Sequence, residues 1–203
     1  MSLAIYNTLT RQEEVFKPLE PTKVKMYVCG PTVYDVLHVG NFRGVIFFNL
    51  VRHWLEHLGF QVNYVYNYTD VDDKIINRAN EEGKSSDEIS AFYIKEFEKD
   101  FTTLKLSRHN HNPKATDYID KMVEVIKTLV DKDKAYVVDG EVFFSIDSFD
   151  GYGKLSHKNL EELQVGHRIE PDPRKKNPLD FVLWKPSKEG EPSWDSRWGA
   201  GRP

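Results

Sequence analysis

Between residues 24 and 68 the sequence spells strand, helix, strand, and that order constrains the fold more than any other feature. Val24-Lys-Met-Tyr-Val28 reads as a strand that stops at Cys29-Gly30-Pro31, where glycine and proline break the pattern. From about Gly40 the apolar residues Val45, Phe48, Leu50, Val51, Trp54, Leu55 and Leu58 recur mostly at three- and four-residue steps, so they predict the inward face of a helix that Gly59 ends. Val62–Tyr68 is again β-rich and aromatic. Two strands joined through a helix form a βαβ unit, which makes them parallel and the crossover right-handed. The fold class is therefore α/β.

Further along, 73–82 predicts a short helix ending at Gly83. Ser86 is expected to cap a longer one with Ile89, Tyr93, Phe97, Phe101 and Leu104 on one face. A loop rich in His and Asn (107–113) precedes another amphipathic helix, with Ile119, Met122, Val123, Ile126, Leu129 and Val130 inward. Asp139-Gly140 between two β-rich runs signals a hairpin with a type I′ turn. A hairpin does not continue a βαβ series, so an inserted α+β subdomain is expected over 115–180. Residues 147–178 look polar and irregular, and 179–184 look like a third strand of the parallel sheet. The division expected is thus 1–114, the inserted 115–180, and a return into the first part over 181–203.

Composition narrows the class of molecule. Twelve Phe, ten Tyr and four Trp can fill a core, which excludes a disordered chain. No apolar run approaches the roughly 20 residues that cross a bilayer, so no membrane association is expected. Cys29 is the single cysteine, which leaves no intramolecular disulfide and suits a reducing cytoplasm. A net charge of −4 argues against gripping nucleic acid by bulk charge.

The chemistry-bearing residues cluster at the strand ends. Cys29 to Asn41 lies where the first strand gives way to the helix, the place where open α/β folds bind ligands. Helix N–H groups there attract phosphate oxygens. Gly40 would let a nucleotide approach the backbone, and His38 could donate a hydrogen bond to a phosphate; equally, His38 could simply cap the helix. Thr69 and Asp70 follow the second strand, where they could hold an ammonium group or cap the next helix. Cys29 reads as a buried apolar residue or as a thiolate facing the crevice. His109 and His111 alternate in a loop and suggest turn chemistry before metal binding. Arg174-Lys175-Lys176 reads as a solvated basic run.

Taken together, these residues resemble the cysteinyl-tRNA synthetases, a family of class I aminoacyl-tRNA synthetases. The resemblance rests on Tyr27-Val-Cys-Gly-Pro-Thr-Val-Tyr-Asp35 with His38-Val-Gly-Asn41, similar to the family's amino-acid-site cysteine joined to its HIGH signature, and on Asn67-Tyr-Thr-Asp-Val-Asp-Asp-Lys74. Ala135-Tyr136, Asp180–Lys185 and Trp194–Pro203 match further family stretches. Val39 and Asn41 within the signature, and Arg197 where proline is usual, are small departures.

The resemblance implies the first half of a Rossmann-like class I catalytic domain carrying a connective insertion. It also implies an N-terminal portion of the enzyme, with the second zinc ligand, the KMSKS loop and the anticodon-binding region beyond it. ATP, with Mg2+, would meet Pro31, Thr32, His38, Val39, Gly40 and Asn41, with His38 and Asn41 catalytic. L-cysteine would meet Cys29, Gly30, Thr32, Thr69 and Asp70, and Cys29 would be one ligand of a single Zn2+. The product would be cysteinyl-tRNA, made with tRNA(Cys) by a cytoplasmic monomer. Two alternatives share the same motifs: a cysteine ligase with an amino-sugar acceptor, and a non-catalytic cysteine-binding paralogue.

Overall fold

The computed structural model describes residues 3–157 and 172–203. The chain divides into two compact units, one of 18–118 and one formed by 1–17 with 119–203. The irregular stretch expected over 147–178 falls partly outside the described residues; its described parts hold turns and one short 3-10 turn at Ile146–Ser148.

The unit of 18–118 is built on the expected βαβ. Strand β3 (Lys23–Val28) leads through a ten-residue loop into helix α1 (Val39–His57), and strand β4 (Gln61–Tyr66) returns parallel to β3 in unbroken register from Lys23↔Gln61 to Val28↔Tyr66. Helix α2 (Asp73–Glu82) begins at Asp72, whose carboxylate accepts the Lys74 amide at 2.8 Å, and ends at Gly83. Helix α3 (Ser86–Thr103) begins one residue earlier than expected. Ser85 is the cap because the reciprocal box needs an acidic partner three residues on, and Glu88 stands three after Ser85. Phe97 of α3 stacks on Phe42 of α1 at 5.7 Å and on Tyr66 of β4 at 5.9 Å, so one ring joins both helices to the sheet.

Helix α1 largely presents the expected inward face. Val45 and Leu55 are buried and Phe48, Val51 and Leu58 half-buried, whereas Leu50 and Trp54 are exposed, along with Val39, Ile46 and Phe47. Buried Phe42 adds to that face, and the apolar residues of α1 continue round to an exposed side, because spacing alone does not say where the inward stripe ends.

The unit of 1–17 and 119–203 contains a hairpin not expected from residue pattern, β1 (Ala4–Asn7) with β2 (Gln12–Val15). It also holds helix α4 (Ile119–Asp131) and the strands β5 (Ala135–Val138), β6 (Glu141–Phe144), β7 (Phe181–Pro186) and β8 (Gly201–Arg202). Asp139 and Gly140 turn the β5–β6 hairpin with φ of +50° and +79°, the geometry of a type I′ turn. Ile119 and Ile126 of α4 pack with Ala135, Val142 and Trp184, so the inward face expected for α4 is the observed one.

The third strand corrects the sequence reading. Phe181–Pro186 pairs antiparallel with β6 and β8 rather than joining the parallel sheet. The place beside β4 is taken by the His- and Asn-rich loop, which runs parallel to it through bridges Val65↔His111 and Tyr68↔Lys114. Strand propensity ranked Leu179–Trp184 above that loop, but β pairing depends on neighbours more than on composition.

Candidate functional site

The crevice lies at the C-terminal ends of β3 and β4. Past Tyr66 the ladder breaks and then resumes: the Thr69 amide donates to the Pro31 carbonyl at 3.1 Å, and the Val33 amide donates to the Thr69 carbonyl at 3.1 Å. This zip brings together Cys29, Gly30, Pro31, Thr32 and Thr69, five of the residues singled out from sequence, with Thr32 bridged directly to Thr69. The approach is close. A Cβ added to Gly30 would sit 1.7 Å from the Asn67 carbonyl oxygen, so only glycine fits there. The Gly30 amide instead donates to Asn67 Oδ1 at 2.9 Å.

His38 and Asn41 form the other cluster. His38 is the N-cap of α1; its Nδ1 accepts the Gly40 amide at 3.0 Å, and its own amide donates to Asn41 Oδ1 at 3.1 Å. The two readings of His38, cap and phosphate donor, are therefore compatible. Because Nδ1 is used as an acceptor, the proton of the neutral ring sits on Nε2, at the opposite edge of the imidazole. The cap thus sets the tautomer that makes Nε2 a hydrogen-bond donor. Val39, Gly40 and Asn41 are exposed around it.

Asp70 is occupied. It is 5% exposed, and its two oxygens accept from the Thr116 amide at 3.0 Å and the Thr116 hydroxyl at 2.6 Å. It ties the strand end to the 114–118 turn instead of standing open to an ammonium group. The basic and His-rich candidates are occupied as well. Arg174 bridges Glu141 and Asp172 and lies over the Phe143 ring, and Lys176 lies over Tyr136. His109 stacks on Tyr66 at 4.5 Å, and burial, helped by the Arg52 charge, pulls its pKa down to about 4, which keeps it neutral.

Cys29 is exposed, as a ligand-facing thiol requires. Among the described residues, however, no three His, Cys, Asp or Glu side chains gather as a metal site. Zinc takes four ligands, and one thiol is one of them. The described residues therefore do not hold zinc by themselves. Among them, too, no helix is long and apolar enough to cross a membrane.

A parallel βαβ unit with a capped helix N-terminus beside the strand ends is the geometry of an open α/β fold, and comparison with known proteins names the family. The family described as tRNA synthetases class I (C), catalytic domain, matches residues 15–203. The chain belongs to this family. Similar curated relatives include the cysteine–tRNA ligase of Bdellovibrio bacteriovorus, 56% identical over 99% of this chain and 42% of that one. Those of Clostridioides difficile (55% identical, 99% and 43%) and Geotalea uraniireducens (54% identical, 100% and 41%) are comparable. This class I synthetase chain thus spans about two fifths of the length of the curated relatives it matches. Its fold is that of the class I catalytic domain, mixed α/β with a parallel pair whose C-terminal ends border the crevice.

Sequence reasoning missed two contributors to this site. Thr116 is distant in sequence and unremarkable in type, so nothing announced its hold on Asp70. Asn67 was visible inside a motif, but its position just past a strand end gave it no more than the turn preference of any asparagine.

Proposed function

We propose that this chain carries the cysteine- and ATP-binding half of a cysteine–tRNA ligase. The observation that carries the reading is the zip of 31–33 onto Thr69, which gathers the cysteine-site candidates at the end of β3, where the chain runs on into the capped N-terminus of α1. In this reading the unit of 18–118 corresponds to the first catalytic half, and the connective insertion lies within the unit formed by 1–17 with 119–203.

The chemistry follows from those residues. L-Cysteine lies against Cys29, Gly30, Thr32 and Thr69, with Asp70 fixing the strand end behind them through Thr116. Its carboxylate oxygen attacks the α-phosphorus of ATP, which enters as its Mg2+ complex, and pyrophosphate leaves. The His38 Nε2–H donates to a phosphate oxygen as negative charge develops, and the α1 N-terminus adds its dipole. Asn41 holds His38 in that orientation, while Pro31 and Val39 flank the nucleotide path. A hydroxyl of the 3′-terminal ribose of tRNA(Cys) then attacks the acyl carbon of the cysteinyl adenylate, forming the ester as AMP leaves. Cys29 is this chain's own donor toward a zinc ion, and the remaining donors would come from outside the described residues.

Cysteine-dependent ATP–pyrophosphate exchange tests the reading, assayed on a protein of full family length carrying this sequence, with serine as control. Exchange with cysteine and not with serine supports it. Its absence from a folded protein overturns it in favour of a module that binds cysteine without turnover.

A further inference from the structure

We propose that Asn67 is a positioning residue that fixes the backbone presenting the Cys29 thiol; the proposal deepens the function given above and rests on it. The reason lies in a break in the β3–β4 ladder. The strands are in register through Val28↔Tyr66, and pairing resumes at Pro31–Thr69. Cys29 and Gly30 fall in the gap, where the chain turns out of the sheet.

The Asn67 side chain fills that gap. Its Oδ1 accepts the Gly30 amide at 2.9 Å and the Tyr27 hydroxyl at 3.0 Å, and its Nδ2 faces Thr69 Oγ1 at 3.5 Å. The amide orientation is forced, because the Gly30 N–H can only donate and so must meet the oxygen. One carboxamide therefore grips the chain on both sides of Cys29, two residues before and one after, and reaches toward Thr69 two residues further along its own segment. The Asn67 carbonyl bars any side chain at Gly30, so the turn has little room to settle elsewhere. An asparagine that merely favoured a turn would bond its own neighbouring backbone. This one bonds residues about forty positions away.

The proposal separates from general stabilisation by what changes and what does not. In a protein of full family length, Asn67→Ala is expected to raise the KM for cysteine about tenfold, the equivalent of one lost hydrogen bond to a held group, while kcat and the KM for ATP stay within about twofold. Hydrogen exchange at the Gly30 amide should quicken by a similar factor of about ten. Asn67→Asp keeps the accepting oxygen and should restore Gly30 protection. Unchanged Gly30 exchange in Asn67→Ala overturns the proposal. So does a uniform fall in kcat and in both KM-derived affinities together with the melting temperature.

If the unsubstituted protein shows no cysteine-dependent exchange, the proposed function fails and two readouts on the 203-residue chain decide the positioning. One is Gly30 exchange; the other is the alkylation rate of Cys29, the only thiol to react. A change of about threefold or more in Asn67→Ala, reversed in Asn67→Asp, sustains it, and an unchanged rate refutes it.

Discussion

His38 and Asn41 hold each other: the Asn41 carboxamide accepts the His38 amide at 3.1 Å while the His38 ring caps the helix whose first turn contains Asn41, accepting the Gly40 amide at 3.0 Å. A side chain with two jobs invites a substitution that removes only one. Asparagine is a good N-cap but has no imidazole, so His38→Asn should keep stability within about 0.5 kcal/mol. The same change should cut cysteine-dependent exchange about a hundredfold or more, in line with loss of one transition-state donor. His38→Ala should lose both, with about 1 kcal/mol of stability gone. Urea denaturation and pyrophosphate exchange on the same pair of variants separate the roles; equal stability loss in both would mean that the cap is not made by Nδ1.

Gly30→Ala brings a methyl group against a backbone carbonyl, and backbone cannot swing aside as a flexible side chain would. The expected cost is about 1–3 kcal/mol of stability, with the ends of β3 and β4 forced apart. A melting temperature unchanged from the unsubstituted protein would contradict the close approach.

Burial keeps His109 neutral, with its pKa near 4 against 6.5 for a free imidazole. Between those values the unfolded chain binds a proton that the folded chain does not. Stability therefore carries the full contribution above about pH 6.5 and loses it as pH falls toward 4. The loss should be about 2 kcal/mol, after discounting for the partial exposure of the ring. His109→Phe keeps the stack on Tyr66 and has nothing to titrate, so its urea midpoint should be flatter across this window. Parallel curves for the two proteins would exclude the imidazole as the source.

Asp180 is 1% exposed and accepts from the Tyr136 hydroxyl at 2.7 Å, the Ile146 amide at 2.9 Å and the Asn177 amide at 3.0 Å. Asp180→Ala strands all three donors and should cost about 3–5 kcal/mol. Loss of protection should centre on β5, β6 and β7, read by hydrogen exchange. A change below about 1 kcal/mol would mean that water replaces the carboxylate.

What the sequence made legible was local. The β3–α1–β4 order followed from where apolar residues fall and where Gly30, Pro31 and Gly59 stand, and the Asp139-Gly140 turn was readable from two residues. The motif from Cys29 to Asn41 announced its place at a strand end and its family. What stayed hidden was pairing at a distance. Leu179–Trp184 looks more like a strand than His109–Ala115 does, yet the latter lies beside β4, because the backbone donors and acceptors presented by Tyr64, Tyr66 and Tyr68 are satisfied by whichever chain arrives there. The same blindness hid Thr116 behind Asp70 and left the grip of Asn67 unread. Side-chain chemistry suggested what Asp70 could bind; only the fold says that each of its oxygens already accepts from Thr116.

The parallel pairing also sets an order of events. Lys23 meets Gln61, and Val65 meets His111, only after the chain has closed two successive loops of roughly forty residues each. The two sides of the crevice, Cys29–Thr32 and Asn67–Thr69, meet only through this closure, so a nascent or partly unfolded chain carries them without any pocket between them. Such non-local closure slows folding relative to the local helices and hairpins. The last step to complete is then the one that creates the binding surface, and a ligand filling that surface would act as a latch on the finished fold.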